Sequence, residues 1–401
     1  MDSLGIYISV PFCRSKCTYC NFASGVFPAE RQGRYVERVA ADLKNARRFA
    51  ERLPAILPDT VDSVYLGGGT PSILAPELLL RLFAAIRDQF PLAGGAEVTM
   101  ECAPGQLEDD ALAAMVECGV NRVSFGVQSF VDREAAVAGR LHTREIALRD
   151  IDRARRASIR SVTADLIAGL PHQSSASWRE SLEVLADSGV DHASVYMLEV
   201  DEDSRLGREM IGGGVRYHAG ATPTDDQVAE FYLEAIEVLA AHGFAQYEIS
   251  NFARPGAASA HNRKYWLRQP YLGFGLDAHS MLRTSGGAAV RFRVGDDLAS
   301  YLDGAGWDDV RPVTRSQALE EAWFLGLRLN EGVSLDALAR EFGAVEAHLH
   351  DDAIGELLAL GLVERREGRV RLTDRGRLMS NDVFERFLGD GVAEAKLVLV
   401  D

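Results

Sequence analysis

Over the first 250 residues the chain alternates, almost without interruption, between short apolar runs and stretches of helical periodicity. Runs of strand length fall at 5–10, 63–66, 97–101, 122–126, 161–167, 193–198 and 245–249. Between them lie helical patterns at 31–51, 76–89, 108–118, 143–157, 177–188 and 224–242. Pro76 stands in the first turn of one helix, and Gly119 and Gly243 close two others, as helix ends prefer. Strands alternating with helices form βαβ units and a parallel sheet. Six or seven units predict an α/β fold built on a closed or partial (β/α) barrel. A dinucleotide-binding sheet fits less well, because no G-x-G-x-x-G follows the first strand.

After residue 250 the pattern changes. Residues 251–310 are rich in Gly, Asn, Arg and aromatics with little periodicity. They read as a loop-rich connection lying over the barrel mouth. From Ser316 helical patterns return at 317–329, 335–342 and 346–360, followed by a hairpin-like stretch at 361–373 around Glu367-Gly368. Helices leading into a two-stranded ribbon predict a winged-helix-like α+β module. The division expected is therefore 1–250, 251–310 and 311–401.

Charge bears on partners. Residues 315–401 hold 11 Lys and Arg against 17 Asp and Glu, and the whole chain carries −16. A phosphate backbone needs a positive surface, so the winged module reads as a structural or protein-docking unit, and no nucleic-acid partner is expected. No apolar run reaches the roughly 18 residues of a membrane span. The opening Met1-Asp2-Ser3-Leu4-Gly5 lacks the basic start of a signal peptide. Five cysteines are too few and too unevenly placed for a disulfide framework. A reducing, cytoplasmic location follows as the expectation.

Three of the cysteines carry the chemistry. Cys13, Cys17 and Cys20 form C-x3-C-x2-C directly after the first strand, while Cys102 and Cys118 stand alone. Three thiolates on one short loop can converge on one inorganic centre, either iron–sulfur or zinc. A closed zinc site needs a fourth ligand, and no nearby His or Cys offers one. A four-iron cluster usually takes four cysteines, so three leave one iron open to a small molecule. A second station, Gly67-Gly68-Gly69-Thr70-Pro71-Ser72, follows the second strand, where glycines let backbone approach a ligand closely. Glu101, Gln128 and Asp165 sit at or near the ends of the next three strands, with Arg140 after Gln128. Polar groups at successive strand ends define one site at the C-terminal face of a barrel.

The loop Cys13-Arg14-Ser15-Lys16-Cys17-Thr18-Tyr19-Cys20 resembles the signature of the radical S-adenosylmethionine (SAM) proteins. That resemblance implies a [4Fe-4S] cluster on Cys13, Cys17 and Cys20, with SAM chelating the fourth iron and cleaved to a 5′-deoxyadenosyl radical. Further segments are similar to the sub-family of oxygen-independent coproporphyrinogen III oxidase and its relatives. They are Tyr7-x3-Pro11-Phe12-Cys13, Gly67–Ser72, Gly126-Val127-Gln128-Ser129-Phe130, Gly139-Arg140-x-His142 and Asp165-Leu166-Ile167-x-Gly169-Leu170-Pro171. The resemblance implies that Tyr7, Tyr19, Gly68, Gly69, Thr70, Glu101, Gln128, Arg140 and Asp165 line SAM.

Within that sub-family the chain resembles the haem chaperones of the HemW type. The oxidases carry a further cysteine two places after the third, where this chain has Phe22, and a long segment ahead of the cluster loop, where this chain has 12 residues. The segment His261-Asn262-Arg263-Lys264-Tyr265-Trp266 is similar to the H-N-x-x-Y-W of those chaperones. An imidazole can ligate haem iron and aromatic rings can face a porphyrin, so His261, Tyr265 and Trp266 are candidates for haem binding, with His279 as a second imidazole. The resemblance implies haem as cargo and delivery to a haem-accepting protein such as a respiratory cytochrome. It also leaves room for a membrane-associated partner and a haem-linked dimer. Coproporphyrinogen III decarboxylation and radical methyl transfer are the alternative activities. Three departures from the pattern stand out: Ser9 in place of His, Cys102-Ala103 in place of Ala-Asn, and Asp277 in place of Gly.

Overall fold

The computed structural model describes residues 3–389. Its large sheet is built on six parallel strands: β1 (Leu4–Val10), β2 (Val61–Gly68), β3 (Leu92–Cys102), β4 (Arg122–Gln128), β5 (Ser161–Ala168) and β6 (His192–Met197). Each follows its predecessor in space, joined by helices such as Glu30–Ala50, Pro76–Gln89 and Ser175–Asp187. One face of every strand meets those helices. Ile6, Ile8 and Val10, then Val64 and Leu66, then Met100 and Val123 have essentially no exposure. The alternate residues face inward and are unusually polar: Tyr7 and Ser9, Ser63 and Tyr65, Glu97 and Glu101, Arg122 and Ser124, Thr163 and Asp165, His192 and Ser194. A strand's period of two makes this one choice of phase.

The sheet is a partial barrel, extended at both edges. Beyond β6 lie β7 (Ala245–Gln246) and β8 (Asn251–Ala253), both antiparallel. The run at 245–249, expected as a seventh parallel strand, therefore supplies only a two-residue edge. The chain turns back there because Glu248 accepts the Ser250 amide (2.9 Å) and the Asn251 side chain. At the other edge β9 (Tyr271–Gly275) pairs parallel with β1. It is followed by β10 (His279–Arg283), β11 (Ala289–Val294) and β12 (Trp307–Val313), all antiparallel. Residues 251–310 are thus not a loop-rich cover over the mouth. Their apolar residues, including Leu272, Phe274, Leu282, Val290 and Phe292, are buried as sheet. Gly and Arg had masked that alternation.

The C-terminal module holds helices Arg315–Arg328, Leu335–Phe342 and Asp351–Ala359 and a small antiparallel sheet of β13 (Val333–Ser334), β14 (Val363–Arg366) and β15 (Arg369–Leu372). The hairpin turns on Glu367 and Gly368, both at positive φ, the geometry that a two-residue hairpin loop demands. Trp323, Phe384 and Phe387 fill its core. The module docks on the barrel through Asn330, whose amide donates to Tyr247 O (3.0 Å), and through Arg328 beside buried Glu248 (3.8 Å).

Candidate functional site

The barrel has two ends of opposite character. At the C-terminal ends of β1–β6 the loop 11–25 closes on itself, with Cys13 N donating to Gly25 O (2.9 Å) and Gly25 N to Pro11 O (2.9 Å). Three neighbours hold it. Thr70 N donates to Phe12 O (2.8 Å), Thr18 N to Ala138 O (3.1 Å), and Leu206 N to Thr18 O (2.9 Å). A Cβ on Gly69 would lie 2.7 Å from the carbonyls of Val10 and Phe12, so only glycine lets the second loop press against the cysteine loop.

Cys13, Cys17 and Cys20 are free thiols, partly exposed, and close enough for their charges to interact. Burial pushes the Cys13 and Cys20 thiols up. Thr70 Oγ1 approaches Cys13 Sγ (3.9 Å), and Arg140 Nη1 donates to Cys17 Sγ (3.3 Å). Among the described residues no three His, Cys, Asp or Glu side chains are grouped to grip a single metal ion. A four-iron cluster places each thiolate on its own iron, which calls for a wider spread than one ion takes. The donor set, three thiols on a pinned loop beside a guanidinium, fits such a centre.

Below the thiols the inner face carries charge. Tyr65 Oη donates to Glu101 Oε1 (2.8 Å), yet burial raises the Glu101 carboxyl to about 7, with Asp165 adding to the rise. Burial also raises Asp165, against hydrogen bonds from Ser194 and from Ser124 Oγ (3.0–3.1 Å). Arg140 crosses this face, donating to Gly126 O, and its buried Nε has no partner. Gln128 ends β4 at φ +71, where the register slips, and its buried Oε1 is also unpartnered. A bulky residue held left-handed at a strand end, with an orphaned amide oxygen, marks a position kept for a ligand. Tyr19 packs beside Ala138, Ile167 and Leu170. Tyr7 lies one layer deeper, its ring 6.0 Å from that of Tyr65.

The sequence candidates for haem divide differently. Helix Ala260–Trp266 plugs the opposite, N-terminal end of the barrel. Glu97 caps it, accepting from Ser259 Oγ (3.1 Å), Ala260 N (3.0 Å) and His261 N (3.0 Å), with Arg122 at 3.8 Å. His261 is 1% exposed, and both ring nitrogens are engaged, Nδ1 with Ser63 Oγ (3.0 Å) and Nε2 with Tyr265 Oη (2.9 Å). Burial, then Lys264, lowers its pKa to about 3. Trp266 is buried under the Arg328 guanidinium (4.2 Å). In this fold all three help to close the barrel floor, with Tyr265 partly buried and the buried Trp266 Nε1 without a partner. His279 differs: it is partly exposed on β10, with Nε2 4.0 Å from Asp277.

The departures are accommodated. Asp277 takes φ +56, the conformation that the pattern's glycine would supply. Cys102 points outward, 4% exposed, with its thiol raised by burial to about 12, so it lies off the inner face. Ser9 faces Gly68, where a Cβ would lie 2.7 Å from its hydroxyl. Tyr65, Ser124 and Ser194 were missed as site residues. The signal was present in their phase: Tyr65 and Ser124 lie two residues before Gly67 and Gly126, and Ser194 stands opposite Asp165 in the next strand.

Residues 7–185 match the model of the radical SAM superfamily, and residues 313–379 match that of the HemN C-terminal domain. The fold superposes on coproporphyrinogen III oxidase (HemN) from Escherichia coli with a TM-score of 0.82 at 23% identity, covering 96% of this chain and 90% of that one. The barrel and its docked module are those of a radical SAM protein with a HemN-type C-terminal domain. The chain is 33% identical over 390 residues to the protein named heme chaperone HemW of Bacillus subtilis (strain 168), covering 96% of this chain and 99% of that one. It is 34% identical over 395 residues to the protein of the same name from Mycobacterium tuberculosis (strain ATCC 25618 / H37Rv), covering 96% and 95%. It belongs to the HemW family.

Proposed function

We propose that this protein is a haem chaperone that carries a [4Fe-4S] cluster and SAM at the barrel mouth and hands haem to haem-accepting proteins. The observation that carries the reading is the end-to-end likeness to proteins named heme chaperone, spanning 96% of the chain. Phe22, 45% exposed where the oxidases have their further cysteine, supports it over decarboxylation.

Cys13, Cys17 and Cys20 hold the cluster. When bound, cluster and SAM supply one-electron chemistry. The chain's own part is placement and charge. Gly68, Gly69 and Thr70 form a floor that admits backbone contact. Glu101 and Asp165 offer carboxylates and Gln128 an amide oxygen to a cationic ligand, Arg140 offers the opposite polarity, and Tyr7 and Tyr19 wall the site. A carboxyl poised at about 7 ionises most readily when a positive group arrives, so SAM affinity rises with pH through that value. No helix among the described residues is long and apolar enough to cross a membrane. A haem-accepting protein held in a membrane would be met from outside the bilayer.

The test is one anaerobic preparation assayed twice. The protein should bind ferric haem and pass it to an apo-cytochrome, and it should leave coproporphyrinogen III unchanged when given SAM and a reductant. Turnover of coproporphyrinogen without haem transfer would replace this reading with the oxidase one.

A further inference from the structure

With His261 sealed in the barrel floor, the more exposed imidazoles are further candidates for haem. His142 and His192 are also buried. Nδ1 of His242 is bonded to Val238 O, and that of His348 to Asp351. His279 and His350 are partly exposed, His279 beside Asp277 and His350 against the Trp323 and Phe387 rings, whereas His172 and His218 lie together on the rim. His172 follows β5 and His218 follows helix Arg205–Gly212, and their rings meet edge to face with centroids 4.9 Å apart.

Both residues are held at positive φ, +69 for His172 and +60 for His218. Two non-glycine residues in the left-handed region, in contact, are costly unless their surroundings impose it. The surroundings do. Glu209 grips the backbone on either side of His218, accepting from Tyr217 N (2.8 Å) and Ala219 N (3.1 Å). His172 N donates to Ala221 O (2.8 Å), tying the two loops together. Arg133 Nη2 donates to His172 Nδ1 (3.1 Å), so the neutral ring carries its proton on Nε2. The Arg133 bond fixes the His172 ring as an orienting group, while the His218 ring stands exposed.

The neighbourhood suits a flat, apolar, dianionic ligand. Met210, Ile211 and Val215, on the same segment as His218, are 50%, 69% and 86% exposed. Arg216 lies over the Tyr217 ring, and Arg208 meets only Asp203 at 3.9 Å, with both side chains largely exposed. The helix beneath is anchored to the cysteine loop, through Leu206 N to Thr18 O and Arg205 Nη1 to Lys16 O (3.1 Å). An imidazole, an apolar face and exposed guanidinium groups are what haem iron, macrocycle and propionates require.

We infer that His218 is the axial ligand to haem iron, with His172 as its positioning residue, on this rim beside the cysteine loop. The inference rests on the haem-binding reading above. The bond formed is a lone pair from a neutral His218 ring nitrogen to ferric iron, with displacement of water and no redox change.

The experiment is titration of ferric haem into the reconstituted full-length protein, followed through the Soret band, for wild type, His218→Ala, His172→Ala and His279→Ala. Far-UV circular dichroism and cluster absorbance check that each variant is folded. His218→Ala should lose at least roughly 10-fold in affinity, the least that removal of an outer-shell partner typically costs, and shift the Soret maximum, and added imidazole should restore the band. His172→Ala should lose affinity several-fold while keeping the imidazole-ligated spectrum. His279→Ala should match wild type. A His218→Ala protein with wild-type affinity and spectrum overturns the assignment, as does loss of the ligated spectrum in His279→Ala alone. Wild type that takes no haem overturns the chaperone reading itself, and this assignment with it.

Discussion

The two ends of the barrel are built from the same strands and equally polar inner residues, yet they treat those residues oppositely. At the floor, Glu97 collects three hydrogen bonds and an arginine, and His261 has a partner on each ring nitrogen. At the mouth, Gln128 Oε1 and Arg140 Nε have none, and Glu101 sits at about 7. The contrast has exceptions, since His192 Nδ1, Thr99 Oγ1 and, on the plug helix itself, Trp266 Nε1 are unpartnered too. What differs is closure. A helix covers the floor and completes its hydrogen bonds, whereas loops surround the mouth and leave charge to be completed by a ligand. Burying a polar group unpaired costs stability, so groups left that way are candidates for function.

The largest expected effect tests the mouth. Cys17→Ser should abolish the broad absorbance at about 400 nm after anaerobic iron–sulfur reconstitution, because the remaining two thiols cannot retain the cluster. Far-UV circular dichroism should hardly change, since the loop is fixed by backbone bonds rather than by the thiol. Retention of full absorbance would end the assignment of this loop.

The floor should respond in the opposite way. Glu97→Ala strips the cap of the plug helix and leaves Arg122 buried beside it. Breaking such a pair costs about 3–5 kcal/mol. Urea denaturation of the protein without cofactors should report that loss. His261→Ala should cost less, about 1–3 kcal/mol, for the partners left unpaired. Haem affinity measured on whatever remains folded should be unchanged in both. A stable His261→Ala protein unable to bind haem would break the distinction between the two ends.

Much of this was legible in the sequence. Alternation gave the parallel core, and the Glu367-Gly368 turn gave the ribbon of the C-terminal module. The cysteine spacing and the strand-end polar residues pointed to the mouth, and the structure brings Cys13, Cys17, Thr70, Glu101, Arg140 and Asp165 to one face. What failed did so for physical reasons. The strands within 251–310 carry Gly273, Gly275, Arg291 and Arg293, which obscure period two, and β9 pairs with β1, some 260 residues away in the chain. His261, Tyr265 and Trp266 are chemically suited to haem, and residue type does not show that the fold places all three at the barrel floor. The His172–His218 contact joins two loops with no local signal.

A smaller effect returns to Glu101. An unfolded glutamate titrates at 4.5, and the folded one at about 7. Below 4.5 both states are protonated, so the group contributes no difference. As pH rises the unfolded chain releases its proton first, and stability falls until the folded carboxyl ionises near 7. The full cost is on the order of 3 kcal/mol. Glu101→Gln should therefore stabilise the protein without its cofactors at pH 8 and leave it unaltered at pH 4, while weakening SAM binding. A stability gain independent of pH would show that Glu101 is paired as completely as Glu97, and the contrast between the ends would lose its main electrostatic support.

The smallest effect concerns the rim. Asp277 adopts a backbone conformation that favours glycine, at a cost of about 1 kcal/mol or more for a side chain. Asp277→Gly relieves that strain but loses the half-exposed pair with Arg293 (3.5 Å), worth about 0–1 kcal/mol, and loosens the unfolded chain. The three terms nearly cancel, so thermal denaturation should find stability within about 0.5 kcal/mol of wild type. Asp277→Ala gains no such relief and should be destabilised by about 1 kcal/mol, since alanine cannot ease a left-handed turn with a local hydrogen bond. The turn is otherwise held by backbone alone, with Asp277 N donating to Gly295 O (3.1 Å) and Val294 N to Ala278 O (3.0 Å). Near-neutral exchange at Asp277, set against collapse at Glu97, would mean that the rim can change its side chains while the floor cannot. A large loss from Asp277→Gly would instead make this carboxylate part of what holds the mouth open.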